Sequence, residues 1–458
     1  MECGPLVFAA VLIAAAYFYG CNRNQSVNTN NADGQNLDAE VLVSQALGRL
    51  IQNPANKVKR VAVGLNVNAD LIVSATALLR ELKVSPGLGR DHDVLTSLGD
   101  LQESFSHFFA DGAAAERYFA DGDIYQQILE AADRLENKEY SIGGNAALMA
   151  YKMAQLTDNV EILVVGPVGP KVQSLMPDKV IIRDTSLRSQ DEVHLIMEYR
   201  QGERWGDHTT PIATRFITSN DVANANLDGL EVFADSIQSF EPDVVMFSGL
   251  HLLDSASGQT QEDKLSALAP ELARLPATLP VHLELASMAN QQLVRLIASK
   301  VLPNVHSLGL NEQELGLVSR ANGGPHQDLA AEDSGYLEIG QVADILHWML
   351  TSLVGGQGSR VLTRVHFHSL TFHVVATLPG WENSASSVAV GTRTASSQAC
   401  GSGAIQPDKV ELRIPAAFPL SVDHAPLRRT VVTFDPSEPV VTWQRDDVAF
   451  HFSPVLVC

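Results

Sequence analysis

The chain has 458 residues, of which 45% are hydrophobic, and this is typical of one large α/β domain or of a large domain with a smaller one. Its 53 acidic residues outnumber its 32 basic residues, for a formal net charge of −21 at pH 7. Such a surface repels nucleic acid and anionic membrane faces, so we expect no nucleic-acid partner, and any phosphorylated ligand must be held by local groups.

An uncharged apolar segment lies near the N-terminus. Residues 6–19, LVFAAVLIAAAYFY, have the length of a signal-peptide core, whereas a spanning helix needs about 20 apolar residues. We interpret residues 1–21 as a signal peptide or signal-anchor, although the segment before the apolar core carries Glu2 and no Lys or Arg. An ordinary core helix is the alternative. Residues 22–57 are expected to form a flexible linker and the start of the domain, so a membrane tether is expected only through residues 6–19.

The four cysteines give information about the compartment. Cys3 and Cys21 lie in or beside the apolar segment, so at most Cys400 and Cys458 belong to the mature fold. No spacing typical of a metal site occurs, and the chain is not a disulfide scaffold. We expect a protein of the secretory pathway, in the lumen of the endoplasmic reticulum, tethered to its membrane, or secreted.

Residues 58–458 follow a repeating pattern of short apolar runs and helical segments. This alternation predicts an α/β fold with a mostly parallel central sheet and helices on both faces. Functional residues should then lie at the carboxyl ends of the strands. The predicted strands lie within residues 60–68, 160–169, 242–251, 279–287, 305–314 and 361–368.

Residues 191–221 depart from this pattern, because they read as two strands around a long polar turn. Val193, Leu195 and Met197 fall on one face of the first strand by the period-two rule. The segment is either a small β lid that closes over a ligand or a plain edge hairpin. Arg215, on the second strand, is a candidate for forked hydrogen bonds to phosphates, or else a solvated arginine.

Two stretches in the first half of the chain carry candidates for binding a polyol. Asp70 follows the first strand, where its carboxylate could accept hydrogen bonds from two hydroxyls or serve a local turn. Gly143 and Gly144 precede a helical run that opens with Asn145. The glycines permit close approach of a ligand, and Asn145 could bind a hydroxyl or cap the helix.

Two acidic strand ends are candidates for a metal site. Glu284 interrupts an apolar strand and therefore needs a cation, an arginine or a site. Glu314 lies where the next strand gives way to a helix, close to Asn311 and Glu312, and simple capping of the helix is the alternative role for Glu312. The two ends could share one hydrated Mg²⁺.

The order of these motifs resembles that of the ribokinase-like sugar kinases. The strings GGNAAL, GPVGPK, PVHLELASM, SLGLNEQEL and RVHFHSL resemble the animal form of the ADP-dependent glucokinase branch, from about residue 58 to the end. This resemblance implies a ribokinase-like fold with a small β lid and the glycolytic reaction in which ADP and D-glucose give AMP and glucose 6-phosphate with Mg²⁺. Animal members also begin with a hydrophobic secretory segment.

The resemblance also implies residue roles. Asp70, Glu116, Gly144 and Asn145 would hold the sugar hydroxyls. Arg215 would contact the ADP phosphates from the lid. The Mg²⁺ would be organised by Glu284 and Glu314.

The C-terminus departs from the family pattern. In the family a Gly-x-Gly-Asp turn follows the last strand, opens a helix and supplies both the anion hole and the catalytic Asp. The nearest glycine cluster, GSGA at 401–404, lacks the Asp. We therefore expect this turn and helix beyond Cys458 and impaired activity in this chain. The alternative is a non-catalytic isoform that binds glucose or a partner in the secretory pathway.

Overall fold

The structure is a computed structural model that describes residues 38–50, 58–254, 256–329, 337–354, 360–400 and 405–458. The apolar N-terminal segment and most of the predicted linker lie outside these ranges. No helix within the described ranges has both the length and the apolar character needed to cross a bilayer.

The strands form two principal sheets and three short pairings. Their bounds in chain order are β1 Arg60–Leu65, β2 Asn68–Ser74, β3 Val94–Leu95, β4 Ala115–Phe119, β5 Glu139–Gly143, β6 Glu161–Val164, β7 Val180–Ile182, β8 Val193–Tyr199, β9 Arg204–Trp205, β10 His208–Thr209, β11 Thr214–Ser219, β12 Val244–Ser248, β13 Val281–Glu284, β14 Ser307–Leu310, β15 Arg364–His368, β16 Phe372–Thr377, β17 Glu411–Leu412, β18 Ala417–Pro419, β19 Val431–Thr433, β20 Val441–Arg445, β21 Val448–Pro454 and β22 Leu456–Val457.

The large sheet has ten strands in the order β20-β21-β16-β15-β14-β13-β12-β1-β6-β7. The seven strands from β15 to β7 are mutually parallel, and β16, β21 and β20 extend the sheet by antiparallel pairing. All six predicted strands belong to the parallel part. Their near-continuous apolar runs reflect burial on both faces.

Helices cover both faces of the large sheet, and others support the smaller sheet. The α-helices are Ala39–Leu50, Ala75–Glu81, Leu98–Asp111, Gly122–Asp133, Asn145–Leu156, Pro170–Leu175, Val222–Ala225, Leu230–Phe240, Gly258–Arg274, Gln291–Leu296, Glu312–Asn322, Ile339–Trp348, Ser384–Ala399 and Ala425–Arg428. Single turns of 3₁₀ or π geometry lie at Asp184–Ser186, Leu250–Leu253, Ile297–Val301, Leu302–Asn304, Met349–Leu353 and Pro407–Lys409. The predicted fold class, a mostly parallel sheet between helical layers, is confirmed.

The predicted lid strands belong to a second sheet of six strands, in the order β3-β4-β11-β8-β2-β5. This lid sheet has its own apolar core, which includes Leu195 and Met197 of β8 together with Phe105 and Ile128 from its helices. The predicted alternation along β8 is therefore confirmed. The two strands are therefore not a plain edge hairpin, because β2, β3, β4 and β5 also join this sheet.

The last described strands are buried. Val455, Leu456 and Val457 are at most 8% exposed, and β22 pairs with β17. A disulfide joins Cys400, after the helix Ser384–Ala399, to Cys458. It links the C-terminal strand to a helix that packs on the large sheet.

Candidate active site

Three ionisable side chains meet on the face of the lid sheet that is turned away from its apolar core. Asp70 on β2 lies directly opposite His194 on β8, and Nδ1 of His194 is 3.7 Å from Oε1 of Glu116 on β4. Alternation along the strands explains this placement, because Leu71 and Leu195 belong to the core on the other face. The structure thus brings Asp70 and Glu116, both predicted to bind sugar, together around an imidazole.

Glycines at the end of β5 leave room for the Asp70 carboxylate. A Cβ atom on Gly143 would lie 2.1 Å from Oδ1 of Asp70 and 2.2 Å from Nδ2 of Asn68. Asn68 Nδ2 donates a hydrogen bond of 2.8 Å to that Asp70 oxygen. Gly144 has a φ of 78°, and a Cβ atom there would lie 2.7 Å from the carbonyl oxygen of Asn66. A side chain at either glycine would therefore displace the groups around Asp70.

Asn145 lies where the lid sheet meets the large sheet. The helix Asn145–Leu156 starts at this residue, and its N-cap is Gly144, so the interpretation of Asn145 as the cap is wrong. The Nδ2 atom of Asn145 donates a 3.2 Å hydrogen bond to Oγ of Ser248, at the end of β12. The side chain is thus held at the carboxyl end of a parallel strand, where ligands bind in open α/β sheets.

The charges in this cluster depend on one another. Burial raises the pKa of Asp70 to about 6, against the lowering effect of His194 and Asn68. Burial disfavours the charged form of His194, but its hydrogen bond to Asp221 and the charges of Asp221 and Glu116 outweigh burial and raise the pKa of His194 to about 9. The Nε2 atom of His194 is 2.8 Å from Oδ2 of Asp221. At neutral pH His194 is therefore an imidazolium among carboxylates.

Arg215 lies on the same face of the lid sheet, on β11 opposite Glu198 of β8. Within the part of the chain that the structure describes, its guanidinium makes no hydrogen bond or ion pair, and its charge lowers the pKa of Asp70. This half-buried arginine, which lies beside the carboxylates of Asp70 and Glu116, is available to an anionic ligand.

Glu284 ends β13 and lies between two histidines. Its Oε1 atom is 2.8 Å from Nε2 of His368 on β15, and its Oε2 atom is 3.1 Å from Nε2 of His282. Burial would raise the pKa of Glu284, but the charge of His368 and the hydrogen bonds from both histidines lower it to about 2. A Cβ atom on Gly309, the register partner of Glu284 on β14, would lie 1.9 Å from Oε2.

Glu314 lies in the first turn of the helix Glu312–Asn322. Its Oε2 atom accepts a 2.9 Å hydrogen bond from the backbone N–H of Asn311, and the Asn311 side chain accepts from the Glu314 N–H in return. Asn311 and Glu314 thus form a capping box, whereas the sequence predicted simple capping for Glu312. Burial, with smaller contributions from the charges of Glu284 and Glu312, raises the pKa of Glu314 to about 8. Its Oε1 atom is buried without a hydrogen-bond partner.

The carboxylates of Glu284 and Glu314 fit a hydrated divalent cation. Mg²⁺ prefers oxygen ligands and keeps several waters. The Oε1 atom of Glu314, which has no hydrogen-bond partner among the described residues, offers such a ligand atom. Burial keeps the pKa of this carboxyl raised although the charge of His368 lowers it. A cation between the two strand ends would give the Oε1 atom of Glu314 a partner and would lower the pKa of this carboxyl.

A second group, His326, Asp344 and Asp423, has ligand atoms within 4.8 Å of one another. Both carboxylate oxygens of Asp344 already accept hydrogen bonds. Ser421 and Arg445 donate to Oδ1, and the backbone N–H of Asp423 and the His326 ring lie within hydrogen-bond distance of Oδ2. These contacts account for the group as a buried hydrogen-bonded centre, so we do not assign it a metal.

His194 and Asp221 were missed by the sequence reasoning. The alternation of Val193, Leu195 and Met197 carried the signal for His194, because a residue between core-facing neighbours points to the opposite face. Asp221 gave no comparable signal, since it lies outside the strands and meets His194 across 27 positions of the chain.

Comparisons with known proteins show the family and the fold of this chain. Residues 59–458 match the family described as "ADP-specific Phosphofructokinase/Glucokinase conserved region". The chain is 43% identical over 420 residues to ADP-dependent glucokinase of Bos taurus, covering 91% of this chain and 83% of that protein. It is 36% identical to the probable ADP-dependent glucokinase of Caenorhabditis elegans, covering 90% and 83%. A solved ADP-dependent kinase in complex with fructose 6-phosphate and ADPβS shares the fold, with a TM-score of 0.65 and 18% identity over 94% of each chain.

Proposed function

The chain belongs to the ADP-specific phosphofructokinase and glucokinase family of phosphotransferases, and we propose that it transfers a phosphoryl group from ADP to D-glucose, giving glucose 6-phosphate and AMP. The observation that carries the proposal is the meeting of Asp70, Glu116 and His194 on one polar face of the lid sheet. Carboxylates accept hydrogen bonds from the hydroxyls of a hexose, and an imidazolium donates to them.

With Arg215 assigned to the phosphates of the donor, the remaining charges of this face favour a neutral sugar over a sugar phosphate as acceptor. A phosphate on the acceptor would meet the carboxylates of Asp70 and Glu116. His194, the cation between them, is already paired with Asp221 at 2.8 Å. Glucose is therefore the better acceptor on electrostatic grounds.

The donor is supported by the placement of Arg215 on the same face. Its unpaired guanidinium suits the phosphates of ADP and would draw the lid sheet toward them. A closed lid excludes water from the transferred group, which limits hydrolysis of ADP. Phosphoryl transfer depends chiefly on such positioning and charge neutralisation.

The strand ends at Glu284 and Glu314 would hold Mg²⁺ through water. When bound, the ion supplies positive charge that stabilises the phosphoryl oxygens. Glu284, ionised well below neutral pH, is ready to face a cation, whereas Glu314 must release a proton to do so. The hydrogen-bond contacts with His368 and His282 orient the Glu284 carboxylate.

An assay of AMP and glucose 6-phosphate formation from ADP, glucose and Mg²⁺ tests this proposal. The chain should be compared with a version extended past Cys458 by a Gly-x-Gly-Asp turn and helix, the segment to which the family resemblance assigns the anion hole and the catalytic Asp. We expect the extended chain to form both products in equal amounts. Glucose binding without turnover in both versions would favour the non-catalytic alternative, and absence of glucose binding would refute both.

We also propose that the protein acts in the secretory pathway. The disulfide between Cys400 and Cys458 supports this placement, because such bonds persist in oxidising compartments. Alkylation of cell extracts followed by mass spectrometry tests it. Recovery of the two cysteines as free thiols would contradict the proposal.

A further inference from the structure

Asn224 holds the backbone at the point where the chain passes from the large sheet to the lid sheet. Strand β1 ends at Leu65 and β2 begins at Asn68, so Val67 lies in the connection. The N–H of Val67 donates to Oδ1 of Asn224 at 3.1 Å, and Nδ2 of Asn224 donates to the carbonyl oxygen of Val67 at 2.9 Å. Both residues are buried. The amide thus satisfies both backbone groups of one hinge residue from 157 positions away.

The same side chain is also joined to the acceptor carboxylates. The second Nδ2 hydrogen of Asn224 is donated to Oδ2 of Asp221 at 2.7 Å. That oxygen is 2.8 Å from Nε2 of His194, whose Nδ1 atom is 3.7 Å from Glu116. Val67 and Glu116 are thereby connected by a continuous polar chain that does not follow the backbone.

Several charged groups face His194 from the surrounding elements. They are Asp70 on β2, Glu116 on β4, Glu192 before β8, Asp221 after β11 and His251 after β12. Asp221, Glu116 and Asp70 stabilise the charged imidazole, whereas burial raises the pKa of Glu192 to about 7 and so reduces its negative charge near neutral pH. The one other imidazole, His251, is buried, and burial lowers its pKa. The surroundings therefore favour an imidazolium at position 194.

We propose that His194, Asp221 and Asn224 form a clasp that fixes the acceptor carboxylates to the hinge at Val67. Asp221 and Asn224 act as positioning residues through His194, which lies opposite Asp70 and 3.7 Å from Glu116 and faces the acceptor itself. The clasp orients these groups for the acceptor and couples the acceptor's presence to the order of the hinge. For the identity of the acceptor, D-glucose, the inference rests on the proposed function. The clasp itself does not, because it is formed by hydrogen bonds among groups of this chain alone.

Hydrogen exchange at the Val67 amide tests the clasp without any ligand. We expect His194→Gln to accelerate this exchange at least about tenfold. Asp221 loses its cationic partner in this variant and no longer holds the Asn224 amide in place against Val67. Asn226→Ala, an exposed position after the same short helix, should leave the exchange unchanged. If His194→Gln does not fold, Asp221→Asn carries the same expectation, since it removes the charge and keeps the shape. Unchanged exchange at Val67 in a folded variant would overturn the proposal.

Calorimetric titration with D-glucose tests the coupling through a double-mutant cycle. Asn224→Ala alone should weaken glucose binding about tenfold, but less than about twofold in the His194→Gln background, because the clasp is already open there. Additive effects would overturn the coupling and leave Asn224 with a structural role. If the unaltered chain does not bind glucose, the proposed acceptor fails, and the exchange measurement still decides the clasp.

Discussion

The Oε1 atom of Glu284 on β13 lies 2.8 Å from the Nε2 atom of His368 on β15. The two strands are not neighbours, because β14 runs between them. The carboxylate meets the imidazole over Gly309 of β14, where a Cβ atom would lie 1.9 Å from the carboxylate. Glycine at that position is thus a condition for the buried pair and for the proposed metal site.

Gly309→Ala should therefore break the Glu284–His368 pair. Loss of a buried pair leaves an uncompensated charge, so we expect a fall of about 3 kcal/mol in the free energy of unfolding. Chemical denaturation measures this change. Gly99→Ala, where the added atom meets only ordinary contact at 3.5 Å, is the control and should have little effect. A midpoint for Gly309→Ala equal to that of the control would contradict the account of the pair.

Stability should fall as the pH rises from about 4.5 to about 8 because of Glu314. Over this range the unfolded carboxyl ionises, whereas burial keeps the folded one protonated, with a pKa of about 8. The folded state then binds more protons, so the free energy of unfolding falls with pH, by on the order of 3 kcal/mol. Denaturation at pH 5 and pH 8 measures the difference.

Glu314→Gln should remove the part of the pH dependence that Glu314 contributes, since Gln keeps the hydrogen bond to the Asn311 N–H and does not titrate. The contributions of other groups with shifted pKa values, such as Asp70 and His194, should remain in both proteins, so the difference between the two isolates Glu314. Mg²⁺ should reduce the change of the free energy of unfolding with pH in the unaltered chain. It should leave this pH dependence unchanged in Glu314→Gln. An equal response of both proteins to Mg²⁺ would place the ion elsewhere.

Glucose binding should weaken at acid pH because Asp70 must be ionised to accept two hydroxyls. With a pKa of about 6, only about a tenth of the Asp70 carboxyls are ionised at pH 5, so we expect about tenfold lower affinity there than at pH 7.5. Isothermal calorimetry at the two pH values measures it. Asp123→Asn, an exposed lid position, should show the same profile as the unaltered chain, and a flat profile would show that Asp70 does not bind the sugar as a carboxylate.

Reduction of the Cys400–Cys458 disulfide should destabilise the fold. The two cysteines are 58 positions apart, and closure of such a loop constrains the unfolded chain by about 4 kcal/mol. Guanidinium denaturation with and without a thiol reductant measures the change. Cys400→Ser should match the reduced protein and be insensitive to the reductant, whereas an equal midpoint for the oxidised and reduced chains would show that the bond contributes nothing.

Six of the seven parallel strands were predictable because each is a short, largely buried run of apolar residues, whereas β7, with Ile181 exposed, was not predicted. Glu284 was also recognisable, since a carboxylate inside such a run needs a partner. Its partner His368 was not, because the order of strands in the sheet decides which side chains meet.

The lid sheet shows more clearly which contacts could not be predicted from the sequence. Asp70 and Glu116 lie on β2 and β4, which are separated in the sheet by β8 and β11. The local sequence pattern carries no information about the order of the strands in the sheet. Glu116 was therefore predicted as a site residue only through the family resemblance. The hinge contact of Asn224 with Val67 spans 157 positions and depends on tertiary placement alone.

The polar face of the lid sheet that carries Asp70 is proposed to bind a neutral hexose. Calorimetric titration of the chain with D-glucose and with fructose 6-phosphate at pH 7.5, repeated on Asp70→Asn, tests it most directly. We expect glucose to bind at one site at least about tenfold more tightly than fructose 6-phosphate, and Asp70→Asn to weaken glucose about a hundredfold, as loss of charge-assisted hydrogen bonds requires. Tighter binding of fructose 6-phosphate, or unchanged glucose affinity in Asp70→Asn, would contradict the claim.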